Sequence, residues 1–297
     1  MLSLTLAYLF LQCLRGAVGS PLQPSAGASI NQQSNISVAA RMQTQCDGAR
    51  FGHNPDLADC RLALTRIPVA RTKLTFMDRT KEPSEPRPDQ KIEGLPFRVM
   101  GPEARCYVQV VLSDAVESGS ASMGEIDHAA SELVTRCAWE RNSGGIATNI
   151  GGDNNLAIIL GTYEPSIRCQ GTIVNKVHCP AILWGMPAGT ERQLFHPGTD
   201  PSGQVSLPIV IRSYGGECAM RIFTARNSDF TSWYKIWEAA LAVYYACVRD
   251  GRGGIHSGLG EAHNLYLAMS GSVRAASGIL DLAMEVGGNS SSLKNMY

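Results

Sequence analysis

His256, Glu261 and His263 form the densest grouping of metal-binding side-chain types in this 297-residue chain. Two histidines and a carboxylate are common zinc ligands, but a separation of seven does not put the histidines on one helical face, as His-Glu-x-x-His does. Exposed loop histidines are the simpler account, and no metal is expected. The Gly-rich stretch Gly144–Gly152 invites a phosphate-loop reading. Such loops run from a strand into a helix and end in Gly-Lys-Ser/Thr. Here the order is helix into strand with no lysine following, so a tight turn needing positive φ is expected instead. Gly254-Ile-His-Ser257-Gly is not a nucleophile elbow, and Gly-x-Ser-x-Gly occurs nowhere. Glu125 and Asp127 could in principle act as a glycosidase pair, but the polar face of a helix explains them more simply. No catalytic residue and no cofactor is expected. An enzyme, in particular a secreted hydrolase, is the least favoured reading.

Aromatic residues offer binding rather than catalysis. Trp233 and Trp237 lie four apart on one helical face, and Tyr244 extends it. Such a face can take sugar rings or a protein partner. It can equally be the packing surface between two parts of the chain. Lys+Arg and Asp+Glu both number 26, so nothing marks a nucleic-acid partner. At 44% hydrophobic and 18% charged residues, the chain has enough apolar surface to fold.

The compartment follows from the N-terminus and the cysteines. Leu2–Leu14 is apolar but shorter than a membrane span, and Ala17-Val18-Gly19 follows as a small-x-small site. Residues 1–19 therefore read as a secretory signal peptide, although no Lys or Arg precedes the apolar core. Removal of this segment takes Cys13 with it and leaves no membrane anchor. The remaining cysteines are Cys46, Cys60, Cys106, Cys137, Cys169, Cys179, Cys218 and Cys247, an even set without any Cys-x-x-Cys. In an exported chain this implies four disulfides. Asn35-Ile-Ser and Asn289-Ser-Ser are glycosylation sequons.

These residues must be positioned by a repeated unit. Leu95-Pro96 and Cys106 recur as Leu207-Pro208 and Cys218. Ile126, Ala129, Ala130 and Cys137 recur as Ile236, Ala239, Ala240 and Cys247. Gly144-Gly145-Ile146 recurs as Gly253-Gly254-Ile255, in the same order. The expected organisation is a leader over 20–45, a first copy over 46–170, a second over 171–275 and a tail over 276–297. Lys81–Glu93 reads as a solvated loop, and Ala275–Val286 as one amphipathic helix. Alternation places Cys106, Val108, Val110 and Leu112 on one strand face. Ser122 and Glu125 can form a capping box, with Ile126, Ala130, Leu133 and Cys137 as an apolar stripe behind it. The fold class is α+β: two tandem β-β-α-β units, each a small antiparallel sheet on one helix, stapled by disulfides. This geometry pairs Cys106 with Cys137 and Cys218 with Cys247. Cys46 is paired with Cys60, and Cys169 with Cys179.

Cys46, the Asp59-Cys60 pair, Leu95-Pro96, Cys106, Cys137 and Gly144-Gly145-Ile146-Ala147-x-Asn149-Ile150-Gly151 stand in an order that resembles a group of small secreted fungal proteins. More distantly the chain is similar to cysteine-rich fungal effector domains. The resemblance implies no catalytic residues. The function expected is that of a secreted, non-enzymatic protein of effector-like or cell-wall-associated character, meeting an extracellular protein or polysaccharide. The alternative is a carbohydrate-binding protein using Trp233, Trp237 and Tyr244.

Overall fold

The computed structural model describes residues 41–81, 91–113, 116–198, 204–224 and 227–271. The signal peptide, Asn35, Asn289, the C-terminal tail and its expected helix lie outside them, as do residues 82–90 of the expected loop.

The first copy runs β1 (Gln43–Cys46), α1 (Gly48–Phe51), α2 (Leu57–Leu64), β2 (Lys73–Asp78), β3 (Ile92–Leu95), β4 (Phe97–Met100), β5 (Cys106–Leu112), β6 (Ser118–Ser122), α3 (Met123–Leu133), β7 (Gly145–Ile150) and β8 (Leu156–Thr162). The second runs β9 (Ile167–Gln170), α4 (Cys179–Gly185), β10 (Gln193–Pro197), β11 (Val205–Leu207), β12 (Ile209–Arg212), β13 (Ala219–Thr224), β14 (Asp229–Thr231), α5 (Trp233–Ala246), β15 (Gly253–Leu259) and β16 (Leu265–Ser270). Strand order is β1-β7-β8-β5-β4 in one large sheet and β9-β15-β16-β13-β12 in the other. Every large-sheet pairing is antiparallel. The two halves are the same mixed α+β unit, sheet plus helix.

The sequence reading missed part of each unit. A small sheet of order β3-β2-β6, matched by β11-β10-β14, contains one parallel pair. The Gly-rich stretch is itself a strand, β7 or β15. The edge strand β1 begins inside the expected leader, and β9 lies in the second large sheet although its residues were assigned to the first copy.

Local sequence explains the elements that carry the core. Ser122 accepts from the Glu125 amide at 3.2 Å and its own amide donates to the Glu125 carboxylate at 2.7 Å, the expected capping box. Ile126, Ala130, Leu133 and Cys137 are all fully buried, as are Ile236, Ala240 and Val243 on α5 and Cys247 just after it. A π-helical turn, Val134–Trp139, carries Cys137 beyond α3. Leu95-Pro96 and Leu207-Pro208 are both cis.

The disulfides are Cys46–Cys137, Cys60–Cys106, Cys169–Cys247 and Cys179–Cys218. None of the four pairings expected from the sequence forms. In the sheet order β5 stands two strands from β7, about 10 Å away, whereas a disulfide needs Cα atoms about 5.5 Å apart. Cys137 sits over β7, where a Cβ on Gly145 would meet its sulfur at 2.7 Å, and so bonds Cys46 of the adjacent edge strand. Cys106 faces α2 and bonds Cys60. Cys179 on α4 is thus the counterpart of Cys60, and Cys169 that of Cys46.

The same closeness explains the repeated Gly-Gly-Ile. A Cβ on Gly254 would meet the Cys247 sulfur at 2.8 Å. These glycines lie on strands and are required by the crosslink above them. Positive φ comes further along, at Asn149 (+61°) and Gly151 (+83°) in the first copy and at Gly258 (+72°) and Gly260 (+88°) in the second.

Candidate functional site

β5 buries Cys106, Val108 and Val110 toward its own helices. Its other face, with that of β4, presents Tyr107, Gln109 and Arg98 to α5 of the second copy. Arg98 is 5% exposed and is held from several sides. It donates to Glu238 Oε1 at 2.7 Å, to the Tyr234 hydroxyl at 2.8 Å and to Gln109 Oε1 at 2.6 Å. Tyr234 donates in turn to Gln109 Oε1 at 2.8 Å. The Arg98 guanidinium lies 3.8 Å from the centre of the Tyr107 ring. Lys235 bonds the second Glu238 oxygen at 2.7 Å. The copies are therefore joined through a buried, hydrogen-bonded ion pair, and burial pushes the Tyr107 hydroxyl pKa up. Met100 and Ala104 enter the second copy's core, and Tyr245 packs against the first.

Arg79 adds a second tie. Its Nε and one terminal nitrogen donate to the Leu95 and Pro96 carbonyls at 3.1 and 2.7 Å, and its other terminal nitrogen donates to the Leu183 carbonyl of α4 at 3.0 Å. Its guanidinium lies 5.7 Å from the Trp184 ring and 5.4 Å from that of Trp237.

Beside these ties the copies leave a cleft of about 200 Å³. Its walls include Phe97 and Val99 from β4, Leu183 and Trp184 from α4, and Trp237, Leu241, Tyr244 and Tyr245 from α5. The α5 residues are spaced by four, three and one, so they share a helical face. Arg66, which donates to the Met100 carbonyl, lies at the cleft and at an adjoining depression lined also by Leu62, Thr65, Tyr244, Tyr245 and Arg249. Burial, and then the neighbouring Arg249 charge, lower the Arg66 pKa. Burial raises those of Tyr244 and Tyr245.

The structure disperses the residues singled out in the sequence. Trp237 is 2% exposed and, with Tyr244, lines the cleft, whereas Trp233 turns to Phe195, edge-on at 5.4 Å between ring centres. The aromatic face thus packs largely within and between the copies. His256 is buried on β15 rather than exposed in a loop. Its ring nitrogens meet the Tyr163 hydroxyl and the Ser257 carbonyl, each at 3.0 Å, and burial lowers its pKa to about 4. Glu261 forms a two-pronged ion pair with Arg192 at 2.7 and 2.8 Å. His263 bonds the Gly258 carbonyl at 2.9 Å. No group of three or more His, Cys, Asp or Glu able to hold a metal occurs among the described residues.

Sequence reasoning passed over Arg66, Arg79, Arg98, Trp184, Glu238 and Arg249. The signal lay in differences between the copies: at the repeat offset Arg98 faces Val210, and Glu238 faces His128. A strand arginine and a helix carboxylate present in one copy alone are what an inter-copy contact requires. Asp59, by contrast, belongs to structure, accepting from the amides of Glu103, Arg105 and Cys106 at 2.8, 2.8 and 2.9 Å.

Among the described residues no helix is long and apolar enough to cross a membrane. No family model and no curated protein matches the chain. Among solved structures the chain is similar to the tandem DUF26 ectodomain of PDLP5, a cysteine-rich receptor-like protein of Arabidopsis thaliana. The identity is 11% and the TM-score 0.19, over 77% of this chain and 98% of that one.

Proposed function

We propose that the chain is an extracellular, non-enzymatic binding protein of effector-like or wall-associated character, whose contact site is the cleft between its two copies. The observation that carries this reading is the pair of disulfides repeated with one connectivity in both halves. Such crosslinks persist in oxidising compartments and hold small sheets together there. The residue constellations that could have done chemistry are spent on structural contacts: Glu125 in a helix cap, Glu261 on Arg192, and His256 against Tyr163. Peptide mapping of the exported protein under non-reducing conditions tests the reading. It should return the four linked peptide pairs, and free thiols at these positions would refute it.

Carbohydrate binding is a second reading, favoured by Trp184, which is 51% exposed at the cleft. Retention on insoluble chitin or glucan that survives Trp233→Ala but is lost in Trp184→Ala would establish it.

A further inference from the structure

The apolar cleft and the depression beside it differ sharply in charge from the molecule around them. The whole chain has equal numbers of acidic and basic residues. Yet Arg66, Arg79, Arg98 and Arg249 line the two hollows, and no Asp or Glu does. Two of these cations are satisfied. Arg98 is neutralised by Glu238, although its second terminal nitrogen has no hydrogen-bond partner, and Arg79 is engaged by three carbonyls.

Arg66 and Arg249 are different. Neither forms an ion pair with a carboxylate among the described residues. They come from different copies, and both reach the same ring, with guanidinium carbons 4.7 and 5.3 Å from the centre of Tyr245. The ring attracts each guanidinium, and Asp59 and Asp250 act on Arg66 from outside the hollows. The two charges nevertheless repel, and after burial it is Arg249 that lowers the Arg66 pKa. An anion seated by both would relieve that repulsion, and arginine's planar fork suits a carboxylate. Tyr244 and Tyr245 bring hydroxyl groups to the same place. Next to this head site, and sharing Arg66, Tyr244 and Tyr245 with it, is the slot walled by Phe97, Leu183, Trp184, Trp237 and Leu241.

We propose that the inter-copy cleft binds a small anionic amphiphile: a carboxylate held between Arg66 and Arg249, carrying one short apolar or aromatic group seated against Trp184, Trp237 and Leu241. The size follows from the slot, whose roughly 200 Å³ lies below the 300–1,000 Å³ or so of sites that engulf drug-sized ligands. It admits a single ring or short chain. The inference rests on the cleft being the contact site, as read above, and the carboxylate could belong to a free acid or to a peptide's C-terminus.

Tryptophan fluorescence reports on the cleft through Trp184 and Trp237, and the probes are phenylacetate, its uncharged analogue phenylacetamide, and N-acetylphenylalanine for the peptide end. Phenylacetate should give a saturable change at concentrations about tenfold or more below those phenylacetamide needs, the usual worth of a charge-assisted contact. Arg249→Gln should remove that advantage while leaving phenylacetamide unaffected. Tighter binding of N-acetylphenylalanine than of phenylacetate would identify a peptide end, and the reverse a free acid. If the variant does not fold, the unaltered protein still decides. Its phenylacetate affinity should fall with added salt while its phenylacetamide affinity holds. Equal binding of acid and amide, or no saturable binding of either, would overturn the proposal. Neither result would touch the disulfide mapping that tests the extracellular reading.

Discussion

Removing one member of the Arg98–Glu238 pair strands the other inside the contact between the copies. A lone buried charge costs about 3–5 kcal/mol, whereas replacing both partners by apolar groups of similar volume is often close to neutral. Glu238→Ala should therefore lose stability on that scale in urea unfolding. The double change Arg98→Met with Glu238→Leu should lose far less than the two single changes added together. His256 makes a prediction in pH. Its folded pKa, about 4, is below the ordinary histidine value of about 6.5, so the unfolded chain takes up a proton before the folded one does. Stability should be complete above pH ~6.5, fall as pH drops toward about 4, and level off beneath it, with at most about 3 kcal/mol due to this group. His256→Asn should flatten that stretch of the stability–pH curve. An unchanged slope would show that other groups dominate it.

The elements were legible to different degrees, for identifiable reasons. Alternation in Cys106–Leu112 and the helical stripe beginning at Ile126 marked β5 and α3, because one face of each is apolar and the period shows. The Gly-rich β7 and β15 were not legible as strands. Their glycines are there to admit a sulfur from above, which no periodicity expresses. The cysteine partners depended on sheet order, and β1 entered the sheet from a stretch that looked like leader. That connectivity can be checked energetically. Each crosslink closes a long stretch, from 39 residues for Cys179–Cys218 to 91 for Cys46–Cys137. Replacing either pair by serine should cost about 4–5 kcal/mol in the chain-entropy model, the larger loss falling on Cys46–Cys137. A cost near zero would mean that the unfolded chain is already constrained there. The cleft was the least legible feature. Trp237 and Tyr244 were visible as a helical face, but the arginines opposite them come one at a time from the residue after β2, from β4 and from just beyond the ends of α2 and α5.

At the scale of the molecule, the first copy's Met100 and Ala104 sit in the second copy's core, and the polar network of Arg98 and the carbonyl bonds of Arg79 cross the same boundary. A contact of this kind resists independent opening. Calorimetry should show one cooperative transition, while two resolved transitions would mean that the copies unfold separately. Both disulfides of each half close inside that half, and among the described residues none bridges Tyr163–Ser166, the short passage from one to the other. A protease that nicks this passage would therefore leave a particle of native size on a sizing column, yet the same sample would run as two bands on a denaturing gel without any reductant.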